Sequence, residues 1–353
     1  MRQLKDIIEN KIINNLTKSF SRSPLQVNKL HETDAEIIKL DDSPYNLAIT
    51  IDTISEEIKT GLYSDPYQIG WMSVMVNLSD LAAVGASPIG IVISQILPKN
   101  ISDDLLEKLQ AGINDACMKC KTFVLGGDTN FGDELIISGC AIGTVNKAKH
   151  LFRIGCQPGD KIYVTGKVGI GNAYAAQKLL FNNQMDSRLR GNDNLRFFPE
   201  AKLEWRNILL KYATSCIDTS DGVLSSLDQI MRLSNVGFKF RNDWSETLEE
   251  KSKQLFHNYN LPLWLLLTGE HGEFELLFSI PAEKEKEFLN EANIINLNPV
   301  YLADAESVLN IKINLYNKEQ ILDSEKIRNL AFEKDFSPHK YLQKLMEIDE
   351  ELK

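Results

Sequence analysis

Three aspartate-bearing segments recur along this chain: Val76-Asn77-Leu78-Ser79-Asp80-Leu81-Ala82-Ala83-Val84-Gly85-Ala86, Gly126-Gly127-Asp128-Thr129 and Ile217-Asp218-Thr219-Ser220-Asp221-Gly222. Each sets an acid beside small residues at the end of an apolar run. Small neighbours let a bulky polyanion approach the backbone. Acids in the same place would repel that anion unless a cation lay between them, and hard oxygen ligands of this kind suit Mg2+ carried with phosphates. The pattern implies a Mg-nucleotide site assembled from segments far apart in sequence, and the fold has to supply the architecture for it.

A chain of 353 residues can build two domains with cores of their own. A net charge of -10 argues against a nucleic-acid partner. It does not argue against a phosphorylated small molecule, because a bound metal inverts the local electrostatics. No apolar run has the length of a membrane span, and Met1–Asp6 is charged, without a signal-peptide core. The odd, scattered set Cys117, Cys120, Cys140, Cys156 and Cys216 suggests reduced thiols in a cytoplasm. Cys117-Met118-Lys119-Cys120 has the spacing of half a zinc site, but no second pair or nearby histidine completes one, and the two read as ordinary helix cysteines.

Periodicity predicts a helix over 1–20, a strand over Leu47–Asp52 and a helix begun by Asp65-Pro66 that carries Asp80. A strand over Ile91–Leu97, a helix over Asp103–Lys121, a strand over Thr122–Leu125 opening onto Gly126 and a strand over Leu135–Val145 follow. Pro158-Gly159-Asp160 is a turn signal, and the stretch from Arg153 to Asp160 marks a domain boundary. The division expected is 1–30 as a helical extension, 31–150 as a first domain and 151–353 as a second. The glycine-rich run Gly166–Gly171 is no P-loop, since no Gly-Lys-Ser/Thr follows, and reads as a strand-to-helix turn. The polar stretch 185–194 reads as a surface insert. Leu224–Leu233 and the tail from Lys326 read as helical.

The three motifs, in this order, resemble those of the thiamine-monophosphate kinase family within the AIR-synthase-like ATP-binding superfamily, over about His31 to Phe278. The resemblance implies an α/β and α+β two-domain fold whose N-terminal sheet forms a barrel across a homodimer. It implies transfer of the ATP γ-phosphoryl group to thiamine monophosphate with Mg2+. The metal ligands it implies are Asp34, Thr50, Asp52, Asp80, Asp128, Asp218 and Asp221, with Asp80, Asp128 and Asp221 as the catalytic acids. Gly126, Gly127, Arg153 and Ser220 fall at its nucleotide-binding positions, and Lys59, Glu273 and Glu275 at its substrate positions.

Each assignment has a plainer competitor. Asp52 could be a helix cap or turn residue, Asp128 a turn aspartate, and Asp218 and Asp221 caps of the helix beyond Gly222. Arg153 could be a solvated loop arginine. The chain also departs from the family pattern: Thr33 replaces an acid, Lys59 stands near a histidine position, and His271-Gly272-Glu273-Phe274-Glu275-Leu276 replaces Gly-Glu-Asp-Tyr-Glu-Leu. The C-terminal aromatic motif has no match, though Phe332 or Tyr341 could substitute. An enzyme acting on another small acceptor, or a nucleotide-binding protein without catalysis, therefore stays open.

Overall fold

The computed structural model describes residues 3–181, 195–269, 271–334 and 336–353. The polar stretch 185–194 lies outside the described residues. The chain divides into two units, one of 24–152 with 196–210 and one of 1–23, 153–195 and 211–353. The leading helix α1 (Ile8–Thr17) groups with the second unit rather than standing as a separate extension. The reason lies in its contacts. Ile7 is fully buried, Ile8 N donates to Asn329 Oδ1, and Asn10 Nδ2 donates to Gln229 Oε1.

The first unit contains β1 (Glu36–Ile38), β2 (Tyr45–Thr53), α2 (Ser55–Thr60), α3 (Pro66–Ala83), β3 (Ser87–Pro98), α4 (Asp103–Lys119), β4 (Val124–Gly132) and β5 (Ile136–Asn146). Its sheet has the order β1-β2-β5-β3-β4. Every neighbouring pair is antiparallel except β3 with β4, whose parallel pairing requires the crossover that α4 provides. Asp65 caps α3 by accepting from Tyr67 N, with Pro66 in the first turn, and all but three residues of α3 are buried. One face of the sheet, with Ala48, Ile91, Ile93 and Ala141, is buried on the α3 side. Alternation then turns Ile51 and Val92 the other way, and they remain 70% and 36% exposed.

The second unit contains β6 (Lys161–Val164), α5 (Ile170–Ala176), α6 (Arg206–Tyr212, which begins in the first unit), β7 (Ser215–Asp218), α7 (Val223–Ser234), β8 (Gly237–Phe240), α8 (Glu250–Asn258), β9 (Leu276–Ile280), α9 (Glu285–Ile294), β10 (Val300–Glu306), β11 (Ile311–Leu315), β12 (Lys318–Leu322), α10 (Ser324–Asn329) and α11 (Pro338–Leu352). The sheet order is β12-β11-β8-β10-β6-β9-β7. β7 and β9 are buried along their whole length, although β7 is the last strand of the order. The result is a mixed α/β fold with two open sheets. No helix among the described residues is long and apolar enough to cross a membrane.

Candidate functional site

In the first unit, β2 and α3 position the acids. Thr50 and Asp52 are two apart on β2 and so share a face. Asn77 and Asp80 are three apart on α3 and share its surface toward that strand. Thr50 Oγ1 donates to Asp80 Oδ2 at 2.5 Å, and Asp52 N donates to Asn77 Oδ1 at 3.0 Å. Asn77 Nδ2 in turn donates to Ser73 O within the helix. Carboxylate oxygens of Asp34 and Asp80 lie within 4.8 Å of one another. Helix α2 starts after Ile54 without a side-chain cap, so Asp52 is not its cap.

Asp128 sits elsewhere in the same unit. Gly126, Gly127 and Asp128 lie inside β4 and not in a turn, with Gly127 opposite Ile93 and Asp128 opposite Ser94. A Cβ on Gly127 would stand 2.0 Å from Ile93 O, so the close pairing of β3 and β4 demands glycine there. β4 is the sheet edge, exposed along nearly its whole length, and Asn130 Nδ2 donates to Asp128 Oδ2 at 2.7 Å. Two strands, β5 and β3, separate β4 from β2, or roughly 14 Å at the usual strand spacing. The structure thus joins Asp34, Thr50 and Asp80, sets Asp52 on the same strand face as Thr50, and leaves Asp128, Gly126 and Gly127 on the edge. Lys59 lies exposed in the last turn of α2.

In the second unit, Asp218 ends the buried strand β7, and the turn Thr219-Ser220-Asp221-Gly222 leads into α7. Ser220 Oγ donates to Asp218 Oδ1 at 2.9 Å. Gly222 is the N-cap of α7, with no side-chain cap bond, so neither aspartate caps the helix. Asp221 is exposed and lines an open pocket with Ser225, Thr268, Arg328, Phe332, Tyr341 and Glu9. Arg153 begins the second segment of this unit in a half-buried position.

Behind the Ser220 turn lies the segment from His271 to Leu276. Thr219 holds it from both sides: its N donates to Glu275 O at 2.8 Å, and its Oγ1 accepts from Glu275 N at 3.0 Å. Glu275 Oε2 accepts from Thr165 Oγ1 at 2.5 Å. Glu273 and Glu275 are both buried, at 3% and 8% exposure. Burial pushes the Glu273 carboxyl up to about 8, against the pull of the Gly169 N–H, and burial pushes the His271 imidazole down to about 4.

Two useful residues were not singled out from sequence. Asn77 sits one turn before Asp80, and its i, i+3 spacing is the available signal. Thr219 lies between the two aspartates of its motif, and only the partner segment reveals what it holds. The five cysteines are free, and burial pushes the Cys117 and Cys120 thiols up to about 11 and about 12, which fits inert residues at the end of α4.

Residues 32–145 match the family of AIR synthase related proteins, N-terminal domain. The chain is 30% identical over 310 residues to the thiamine-monophosphate kinase of Pyrococcus abyssi, covering 86% of this chain and 94% of that protein. A solved structure described as AaThiL complexed with AMPPCP and TMP superposes with a TM-score of 0.71 at 21% identity, over 91% of this chain and 98% of the other. The hydrogenase maturation protein HypE of E. coli superposes with a TM-score of 0.67 at 17% identity, over 89% and 96%. The same fold therefore carries more than one chemistry.

Proposed function

This chain belongs to the thiamine-monophosphate kinase family, and we propose that it transfers the γ-phosphoryl group of ATP to thiamine monophosphate, releasing ADP and thiamine diphosphate. The observation that carries this reading is the alignment with a named kinase across nearly that protein's whole length. The like-folded structure with an ATP analogue and TMP supports it.

The donor set fits Mg2+, since the aspartates and Thr50 offer only hard oxygen atoms and no histidine or thiolate stands among them. Asp34, Thr50, Asp52 and Asp80 would hold metal in the first unit, with Asp128 on its edge strand, and Asp218 and Asp221 in the second. Bound Mg2+ supplies charge neutralisation between two mutually repelling phosphates. Asp80, Asp128 and Asp221 are the acids on which turnover depends. Gly126 and Gly127 carry no side chain to keep phosphate from the backbone of the edge strand, while Ser220 and Arg153 offer hydrogen bonds to its oxygens. Lys59 serves the acceptor phosphate.

A phosphate monoester has a second pKa of about 6, so the acceptor is already a nucleophile at neutral pH. One of its oxygens attacks the γ-phosphorus, the bond to the β–γ bridging oxygen breaks, and the electron pair leaves with ADP. No protein base is required, and catalysis consists of alignment and charge neutralisation.

The outward face of the first unit's sheet, with Ile51 and Val92, supports a homodimer in which two such sheets pair into a barrel. Five free cysteines support a reducing, cytoplasmic setting. The test of the activity is chromatographic. Purified protein with ATP, Mg2+ and thiamine monophosphate should yield thiamine diphosphate and ADP in equal amounts. ADP formation with another acceptor, and none with thiamine monophosphate, would overturn the substrate.

A further inference from the structure

Glu273 is a buried acid whose position in the fold suggests work at a distance. Its Oε1 accepts a 2.7 Å hydrogen bond from Gly169 N, inside the glycine-rich turn before α5. Its Oε2 is buried with no hydrogen-bond partner among the described residues. The next residue back faces the opposite way. Gly272 N donates to Ser220 O at 2.7 Å, and a Cβ on Gly272 would stand 1.4 Å from Thr219 O. One residue step therefore links the glycine-rich turn to the turn between Asp218 and Asp221.

A buried carboxyl with one oxygen unpaired is a costly way to fill space. An apolar residue of similar volume is often as stabilising or more so, hence stability alone gives a poor account of an acid here. The unusual spelling of the segment fits this geometry. Glycine at 272 permits the contact with Thr219 O, and glutamate at 273 has the length to reach Gly169 N. Phe274 takes a left-handed backbone, φ 58°, to turn the chain between Glu273 and Glu275, which Thr219 holds.

We propose that Glu273 is a positioning residue: by holding the glycine-rich turn against the His271–Leu276 segment, it fixes the Ser220–Asp221 turn in the geometry that receives metal-bound phosphate. This rests on the phosphotransfer reading of the site but assigns Glu273 to the loop instead of to the acceptor.

The experiment compares Glu273→Leu, Glu273→Gln and Glu273→Asp with the parent. Binding of a non-hydrolysable ATP analogue with Mg2+ is measured by calorimetry, alongside melting temperature. Leu removes the acceptor for Gly169 N. Asp keeps the acid but falls one methylene short. Gln keeps both length and acceptor. Leu and Asp should weaken binding by about 10-fold, the lower end for lost outer-shell support, while Gln stays within about 2-fold of the parent. If Leu melts below the assay temperature, the folded Asp and Gln variants decide by the same contrast. Parent-like binding in folded Leu or Asp protein, with only the melting temperature lowered, would overturn the role and leave Glu273 purely structural. The readout contains no acceptor. A parent that binds Mg-nucleotide but forms no thiamine diphosphate would overturn the reaction and not this role.

Discussion

Thr50 Oγ1 and Asp80 Oδ2 lie 2.5 Å apart, a strand hydroxyl donating to a carboxylate on the helix packed against it. The bond fixes one oxygen of Asp80 toward the strand, so the carboxylate cannot rotate freely. A ligand held in this way pays less entropy when it meets a cation. Thr50→Val keeps the volume and the branching but removes the donor. Activity should fall by about 10–100-fold at limiting Mg2+ and recover in part at high Mg2+. Steady-state rates across a Mg2+ titration check this, and an unchanged Mg2+ dependence would count against it.

Asp80→Asn removes a ligand charge at nearly constant volume. Turnover should drop by about 100-fold or more, as for loss of one group aligned on the transition state. The circular-dichroism spectrum should not change. An Asp80→Asn protein that unfolds yet keeps its activity per folded molecule would make the residue structural. Asp221→Asn should behave likewise, because Asp221 is exposed and caps no helix.

Much of this site was legible in the sequence because each motif places its acid at the end or on the face of one strongly patterned element. The apolar run before Asp52 and that before Asp218 become β2 and β7, and the Asp65-Pro66 signal starts α3. Pairing between distant elements was not legible. Gly126-Gly127-Asp128 has the composition of a turn, yet it lies within β4, because parallel pairing with β3 needs glycine where Ile93 O comes close. Likewise, residues 1–23 group with the second unit through hydrogen bonds to Asn329 and Gln229, more than 200 positions away. Local periodicity holds no record of such partners.

The outward sheet face yields a prediction about assembly. Ile51 is 70% exposed on β2, the second strand of its sheet, beside the edge strand β1 and not at the edge itself. An exposed isoleucine there is costly unless a second surface covers it. The protein should run as a dimer in light scattering at micromolar concentration, and Ile51→Lys should shift it toward monomer. A monomeric parent would remove the barrel pairing.

Glu273, buried, and the half-buried His271 make opposing contributions to the pH dependence of stability in chelator. Glu273 keeps its proton in the folded protein up to about 8, whereas the unfolded chain loses it near the ordinary value of 4.5. Between those values the folded state binds more protons, so stability falls as pH rises. His271 has the opposite sign: it is neutral when folded down to about 4 but takes up a proton below 6.5 when unfolded, so its contribution grows as pH rises from about 4 to 6.5. The two slopes oppose each other from 4.5 to 6.5 and nearly cancel there. Of these two groups only Glu273 still titrates differently in the two states above 6.5, at a limiting slope of about 1.4 kcal/mol per pH unit. Denaturant midpoints should therefore fall between pH 6.5 and 8 in the parent and stay level in Glu273→Gln, which cannot ionise. Equal slopes in the two proteins over that interval would mean that Glu273 is ionised in the folded state.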